Sequence, residues 1–213
     1  MDFLPKEINN YCEEYSQKED DVLYDLNRKT NQKILRPRML SGHLQGQLLT
    51  MFSNMISPRK ILEIGTYTGF SAICLARGLK KDGVLHTIDI NEELEYFARE
   101  YFEKANLSKQ IISHVGNAMD ILPKLNISWD LVFIDADKEN YINYYNLVFD
   151  QINKGGFIIF DNVLWSGKVT QEINPKDKET FALVELAKIL ESDNRVENVL
   201  LPVRDGLFMV RKK

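Results

Sequence analysis

Short apolar runs and amphipathic stretches alternate along most of the chain. The apolar run 61–64 stops at Gly65, a helical pattern follows over residues 70–79, and the next apolar run stops on Asp89. This order predicts a strand, a glycine turn, a helix and a second strand, which make a βαβ unit with the usual right-handed crossover. The rest of the chain is organised around this unit, because the later segments repeat the same alternation.

The later segments predict three more strands, at residues 111–115, 129–134 and 157–160, with amphipathic helices before the first of them, over 94–105, and before the last, over 141–152. A turn with two glycines, at residues 153–156, is expected to introduce the last of these strands. The tail predicts two strands, 198–203 and 207–211, around the hairpin signal Asp205-Gly206. We therefore predict an α/β fold with a doubly wound, mostly parallel, Rossmann-like sheet of seven strands and a C-terminal antiparallel hairpin.

The N-terminal part differs from this alternating core. Residues 1–32 are polar and helical in character with scattered apolar positions, and residues 36–42 form a loop rich in helix breakers. Such an arm cannot build its own core, so we expect it to dock on the main domain or on a second copy of the chain. We interpret 1–213 as a single domain, with the arm and loop at 1–42 and the core at 43–213.

Composition narrows the functional classes. The net charge is −4, which gives no global electrostatic reason to bind nucleic acid. The two cysteines suit a reduced, cytoplasmic setting. No long apolar run indicates a membrane span, and the N-terminus, which carries acids, does not resemble a signal peptide.

The glycine turn after the first strand indicates a nucleoside site. The spacing from Gly65 to Gly69 does not match the dinucleotide fingerprint or a P-loop, so a nucleoside without phosphates fits better. Asp89, at the end of the second strand, can accept both hydroxyls of a ribose. Glu63, inside the first strand, suits a ligand that carries an ammonium group. The alternative is that the turn is only structural, as in any α/β domain with a tight turn after a strand.

Three motifs carry a resemblance to a known family. Residues 63–71 (EIGTYTGFS), followed by Asp89-Ile90, resemble the motif of class I S-adenosylmethionine-dependent methyltransferases. Residues 135–141 (DADKENY) and 161–167 (DNVLWSG) resemble the metal-dependent O-methyltransferases of the catechol and caffeoyl-CoA type. The resemblance implies a homodimer, a loop before residue 43 that covers the cofactor, and a set of cofactor-binding residues: Met39, Glu63, Gly65, Tyr67, Ser71, Asp89, Ala118 and Asp135. For Met39 the alternative is ordinary core packing.

The predicted strand ends also concentrate oxygen ligands. In a parallel sheet the carboxyl ends of the strands share one edge, so we expect the acids that end them to line one crevice. Asp135, Asp161 and Asn162 are hard oxygen donors of the kind that Mg²⁺ prefers, and the family motif implies that they hold such an ion. The alternative is that the two aspartates cap the helices that follow them.

Two further residues complete the predicted site. Lys138 follows Asp135 by one helical turn and matches the lysine of the family motif, which implies a general base. Its alternative is a solvated surface lysine. Trp165 is expected to form an aromatic wall over the substrate ring, or else to anchor its loop. His114 is expected to be structural, and His86 and His43 show no partner pattern, so a Ser-His-Asp site finds no support.

The leading hypothesis is an S-adenosylmethionine-dependent O-methyltransferase that uses Mg²⁺. It would methylate one of two vicinal oxygens of a chelated catechol or caffeoyl-like molecule, with Lys138 as the base. The alternative keeps the same chemistry for 5-hydroxyuridine at the wobble position of tRNA, with Arg36, Arg38, Lys168 and 211–213 near phosphates. The predicted metal ligands argue against a nucleotide-binding module without enzymatic activity. The spacing of Gly65 and Gly69 argues against an NAD-dependent dehydrogenase.

Overall fold

The computed structural model describes residues 4–213, which form two compact units, Leu4–Ala118 and Met119–Lys213. The first unit contains the predicted arm and the βαβ unit. In chain order its elements are α1 (Lys6–Tyr15), α2 (Asp21–Lys33), α3 (His43–Ile56), β1 (Lys60–Ile64), α4 (Phe70–Ala76), β2 (Val84–Asp89), α5 (Glu95–Lys104) and β3 (Ile111–Val115).

The three strands of the first unit are parallel, with β1 paired to β2 and β2 paired to β3. The apolar runs form buried strands because helices cover a parallel sheet on both faces, and Ile61, Leu62 and Leu85 are fully buried. α4 is entirely buried and ends at Ala76, which is earlier than the predicted helix over residues 70–79. The chain turns there to reach β2.

The arm docks only in part on the first unit. α2 buries Leu23 and Leu26, and the Tyr101 hydroxyl of α5 donates to Asp25 Oδ2 at 2.9 Å. α1 buries none of its side chains and leaves Ile8 and Tyr11 exposed. Docking of this face on a second copy stays a prediction, and residues 1–3 of the predicted arm lie outside the described residues.

The second unit holds the predicted C-terminal half. After α6 (Ala118–Leu125), which starts on the last residue of the first unit, its elements are β4 (Trp129–Ile134), α7 (Tyr141–Phe149), β5 (Ile152–Asp161), α8 (Lys178–Ser192), β6 (Val196–Leu201) and β7 (Leu207–Lys212). β4 and β5 are parallel, whereas β7 pairs antiparallel with both β5 and β6. The tail is therefore the predicted antiparallel hairpin.

One prediction about this part of the chain is wrong, and one helix was not predicted. The double glycine at 153–156 is not a turn before the strand but lies inside β5, where the pairing register slips between Trp129 and Leu131. Such an irregularity inserts extra residues into one strand, and glycines tolerate it, as Gly155 does with φ 80°. The sequence analysis also missed α6, a short helix interrupted by Pro123.

The predicted fold class is confirmed. The seven strands belong to one mostly parallel sheet in the order β3-β2-β1-β4-β5-β7-β6, with the antiparallel hairpin at the C-terminal end of that order. Within residues 4–213 the structure has no helix with the length and apolar character needed to cross a bilayer.

Candidate active site

The turn between β1 and α4 requires glycine at both ends. Gly65 has φ 105° and Gly69 has φ 85°, a left-handed conformation that side chains rarely adopt. A Cβ at Gly69 would also lie 2.6 Å from the ring of Phe102. Glycine is therefore required at Gly65 by the backbone conformation, and at Gly69 by both the conformation and the adjacent Phe102 ring.

Asp89 is held at the end of β2 by the backbone around it. Its Oδ2 accepts the Tyr67 N–H at 2.7 Å, and its Oδ1 accepts the Asn91 N–H at 2.9 Å. The side chain is only half-buried. A carboxylate oxygen accepts more than one hydrogen bond, so Asp89 is both oriented and able to receive the hydroxyls of a ribose.

Glu63, the next-to-last residue of β1, is a fully buried acid. Its Oε2 accepts the hydroxyl of Thr87 on the adjacent strand at 2.6 Å. Burial of a carboxylate is costly unless hydrogen bonds or opposite charge compensate it. This location suits the cationic end of a ligand whose ribose is held by Asp89.

The other predicted cofactor residues of the first unit fall into two groups. Ser71 and Ala118 are buried, whereas Met39 exposes 53% of its surface, so the core-packing alternative for Met39 is wrong. Tyr67 has φ 48°, and its hydroxyl lies 3.2 Å from the carbonyl oxygen of Leu35, to which it donates. Tyr67 thus connects the glycine turn to the loop that carries Met39.

In the second unit, Asp135 directly follows β4, and Asp161 is the last residue of β5. Asp161 Oδ1 accepts the N–H of Asn162, which has φ 57°, at 2.7 Å. Neither aspartate caps a helix: the short 3₁₀ helices that follow begin after Asp137 and Leu164, and no side chain caps them. The helix-cap alternative for Asp135 and Asp161 is therefore wrong.

Lys138 is buried, with 5% of its surface exposed, so the solvated-surface alternative is also wrong. Its Nζ lies 3.0 Å from Asp135 Oδ1 and 2.6 Å from the Tyr141 hydroxyl, and 5.7 Å from the centre of the Trp165 ring. Burial, together with the charges of Asp135 and Asp161, keeps the pKa of Tyr141 well above its ordinary value of 10. Tyr141 therefore stays a neutral hydroxyl beside the lysine.

Trp165 begins a strained loop that the hairpin turn supports. Trp165 and Ser166 both have left-handed backbones, with φ 46° and 57°. Asp205, in the turn between β6 and β7, accepts the Ser166 N–H at 2.6 Å on its side chain and the Leu164 N–H at 2.8 Å on its carbonyl oxygen. The Trp165 Nε1 is buried and has no hydrogen-bond partner. Asp205 therefore anchors this loop through its backbone, and the indole N–H of Trp165 makes no hydrogen bond that anchors it.

Comparisons with known proteins agree on one family. The O-methyltransferase family model matches residues 13–213. A caffeoyl-CoA O-methyltransferase of Petroselinum crispum is 36% identical over 179 residues, which cover 79% of this chain and 74% of that protein. The solved O-methyltransferase of Bacillus cereus in complex with SAH has a TM-score of 0.90 at 28% identity, over 97% of each chain. TomG of Streptomyces achromogenes, in complex with SAM, has a TM-score of 0.88 at 28% identity, over 97% of this chain and 96% of that one.

The chain belongs to the O-methyltransferase family. Its activity is therefore methyl transfer from S-adenosylmethionine to an oxygen. The glycine turn with Asp89 and Glu63 suits the nucleoside and the cationic end of this methyl donor.

The donor chemistry of this O-methyltransferase also fits a divalent cation. Among residues 4–213 no group of three His, Cys, Asp or Glu side chains could hold a metal ion. The candidate set is instead two carboxylates and one amide: Asp135, Asp161 and Asn162. Hard oxygen donors of this kind suit Mg²⁺, which usually keeps several positions for water or substrate. The set thus fits a catalytic ion with open positions better than a closed structural site.

Two contacts in the O-methyltransferase escaped the sequence analysis. Tyr141 ends the DADKENY motif and contacts Lys138, but it was not predicted as a site residue. No sequence pattern indicates a partner for His86, yet its Nδ1 lies 2.9 Å from His114 Nε2 across β2 and β3. Burial lowers the pKa of His86 to about 4, with a smaller contribution from His114, so the pair is neutral and structural.

Proposed function

We propose that this O-methyltransferase methylates one of two vicinal hydroxyls on an aromatic ring and that a divalent cation assists it. The observation that carries the proposal is the burial of Lys138 between Asp135 and Tyr141, at the end of β4. A buried amine beside a carboxylate that can also ligate a metal is suited to remove a proton from a substrate bound there. The caffeoyl group in the name of the Petroselinum relative carries two neighbouring ring hydroxyls, which supports this substrate class.

The residues divide the work of the reaction. Glu63 and Asp89 hold the methyl donor, and Trp165 packs against the acceptor ring. Lys138 Nζ takes the proton of the attacking hydroxyl. The resulting oxygen anion attacks the methyl carbon, the carbon–sulfur bond breaks, and S-adenosylhomocysteine leaves as a neutral thioether.

The metal has one role in this scheme. When bound by Asp135, Asp161 and Asn162, a divalent cation would lower the pKa of the substrate hydroxyl and fix the orientation of both oxygens. The donor set of two carboxylates and one amide supports Mg²⁺ as the ion. Because such a cation would stabilise the oxygen anion, it would also lower the energy barrier for transfer of the proton to Lys138.

A panel of acceptors tests the proposal, with S-adenosylmethionine and Mg²⁺ present throughout. Catechol and a caffeoyl ester have adjacent oxygens, resorcinol has the same two hydroxyls one carbon further apart, and phenol has one. We expect monomethylated products from the first two, and rates at least about 10-fold lower for resorcinol and phenol, since orientation by both oxygens is lost. Equal rates for phenol and catechol would exclude chelation. Methylation of hydroxyuridine-containing tRNA, without reaction of any small catechol, would assign the tRNA alternative instead.

A further inference from the structure

One hydroxyl group connects the candidate base to the ends of two strands. Tyr141 is the first residue of α7 and is fully buried. Its hydroxyl oxygen accepts a hydrogen bond from Lys138 Nζ at 2.6 Å. The hydroxyl proton is directed at the carbonyl oxygen of Asp161, 2.9 Å away, with the carbonyl oxygen of Ile134 at 3.2 Å. The last residues of β4 and β5 and the lysine therefore meet at a single atom.

The tyrosine ring itself has little freedom. The Tyr141 ring packs against Phe160 of β5, with ring centres 5.7 Å apart. Lys138 Nζ lies 4.8 Å from the centre of the Tyr141 ring. A lysine side chain has four rotatable bonds, so holding its end group in one place costs rotamer entropy. A hydrogen bond to a rigid, buried hydroxyl orders the lysine side chain when the protein folds, so this entropy is not lost when substrate binds. This is the general benefit of a preorganised site.

We propose that Tyr141 is a positioning residue that holds Lys138 Nζ beside Asp135 in the orientation needed to accept the substrate proton. The proposal rests on the proposed role of Lys138 as the base. Without the Tyr141 hydroxyl, Lys138 keeps its ion pair with Asp135 but loses its second anchor. The amine would then swing towards Asp135, whose side chain is partly exposed. A misplacement of about 1 Å can lower a rate by about 100-fold.

The chain offers a matched control one turn further along the same helix. Tyr145 is also buried, packs on the same Phe160, and donates its hydroxyl to Asp193 Oδ2 at 2.8 Å. Tyr145→Phe therefore removes a buried tyrosine hydrogen bond of similar length without touching Lys138. Both Phe variants keep the ring, so each is expected to fold, with the larger loss of stability in Tyr141→Phe, whose hydroxyl makes three hydrogen bonds rather than one.

The experiment compares wild type, Tyr141→Phe and Tyr145→Phe with two readouts. The first is the acetylation rate of Lys138 in the protein without ligands, followed by peptide mass spectrometry and normalised to the exposed Lys154. We expect Tyr141→Phe to raise this rate several-fold and Tyr145→Phe to leave it unchanged. The second is catechol methylation, for which we expect Tyr141→Phe to lower kcat by about 10- to 100-fold with little change in the KM for S-adenosylmethionine.

Each outcome decides the proposal. A Lys138 acetylation rate in Tyr141→Phe equal to wild type overturns it, whatever happens to kcat, because the lysine was then not held by the hydroxyl. A raised acetylation rate with a kcat like that of Tyr145→Phe overturns the positioning role. If the wild type methylates no catechol, the proposed function fails separately, and the acetylation rate alone still decides whether Tyr141 anchors Lys138.

Discussion

Substitution of Asp89 is the sharpest test of the cofactor half of the site. In Asp89→Ala two charged hydrogen bonds to the ribose disappear, and each such bond contributes about 1.5–3 kcal/mol. Because Asp89 is only half-buried, the lower end applies to each bond and water that replaces the ribose offsets part of the loss, so we expect about 2–3 kcal/mol less binding free energy. At about 1.4 kcal/mol per tenfold, this weakens S-adenosylhomocysteine binding by about 30- to 150-fold. The Tyr67 and Asn91 N–H groups also lose their acceptor, so unfolding should become easier by about 1–2 kcal/mol.

Calorimetric titration with S-adenosylhomocysteine measures the affinity, and urea unfolding measures the stability. Asp82→Ala is the matched control, since it removes the same charge from an exposed aspartate that pairs with Arg59 just before β2. We expect this control to bind like wild type. An Asp89→Ala protein that is folded and binds within about twofold of the control would remove Asp89 from the cofactor site.

The remaining predictions concern the base and the histidine pair. Lys138→Met should lower kcat for catechol by about 10²- to 10⁴-fold while the affinity for S-adenosylhomocysteine stays near wild type; full turnover in this variant would exclude Lys138 as the base. His86 stays neutral in the folded protein down to its pKa of about 4, whereas the unfolded chain binds a proton below about 6.5. Stability should therefore fall by up to about 3 kcal/mol as the pH drops from 6.5 to 4. Urea unfolding across this range should show a smaller drop for His86→Phe than for wild type, and equal drops would refute this reasoning.

The parts of the fold that sequence reasoning recovered depend on local periodicity. Apolar runs that stop at Gly65 or at Asp89 mark buried parallel strands, because both faces of such strands are covered and the ligand-facing end carries the first polar residue. The hairpin could be predicted because Asp205-Gly206 is a pair that favours a tight turn and lies between two segments of alternating apolar residues. The carboxyl ends of the five parallel strands, and the acids there, followed from these features alone.

The errors arose where tertiary contacts override local signals. Gly155-Gly156 has the composition of a turn, but pairing with β4 keeps it inside β5 as an irregularity. The His86–His114 contact depends on the register of β2 against β3, which no local pattern specifies. Tyr141 lies on the apolar face of α7, and the helical pattern alone predicts core packing for it, not a role for its hydroxyl. The position of Tyr141 within the DADKENY motif, three residues after Lys138, was the signal that could have revealed its role.

We propose that methyl transfer to a catechol requires the cation that Asp135, Asp161 and Asn162 would hold. The direct measurement is the initial rate of methyl transfer from labelled S-adenosylmethionine to catechol, in protein stripped with EDTA and confirmed metal-free by elemental analysis. We predict that the stripped protein is slower by about 100-fold or more, which corresponds to the several kcal/mol that metal-ion catalysis supplies. Added Mg²⁺ should restore the rate in wild type but not in Asp161→Ala. A metal-free protein that methylates catechol at the rate of the Mg²⁺-loaded protein would contradict the account.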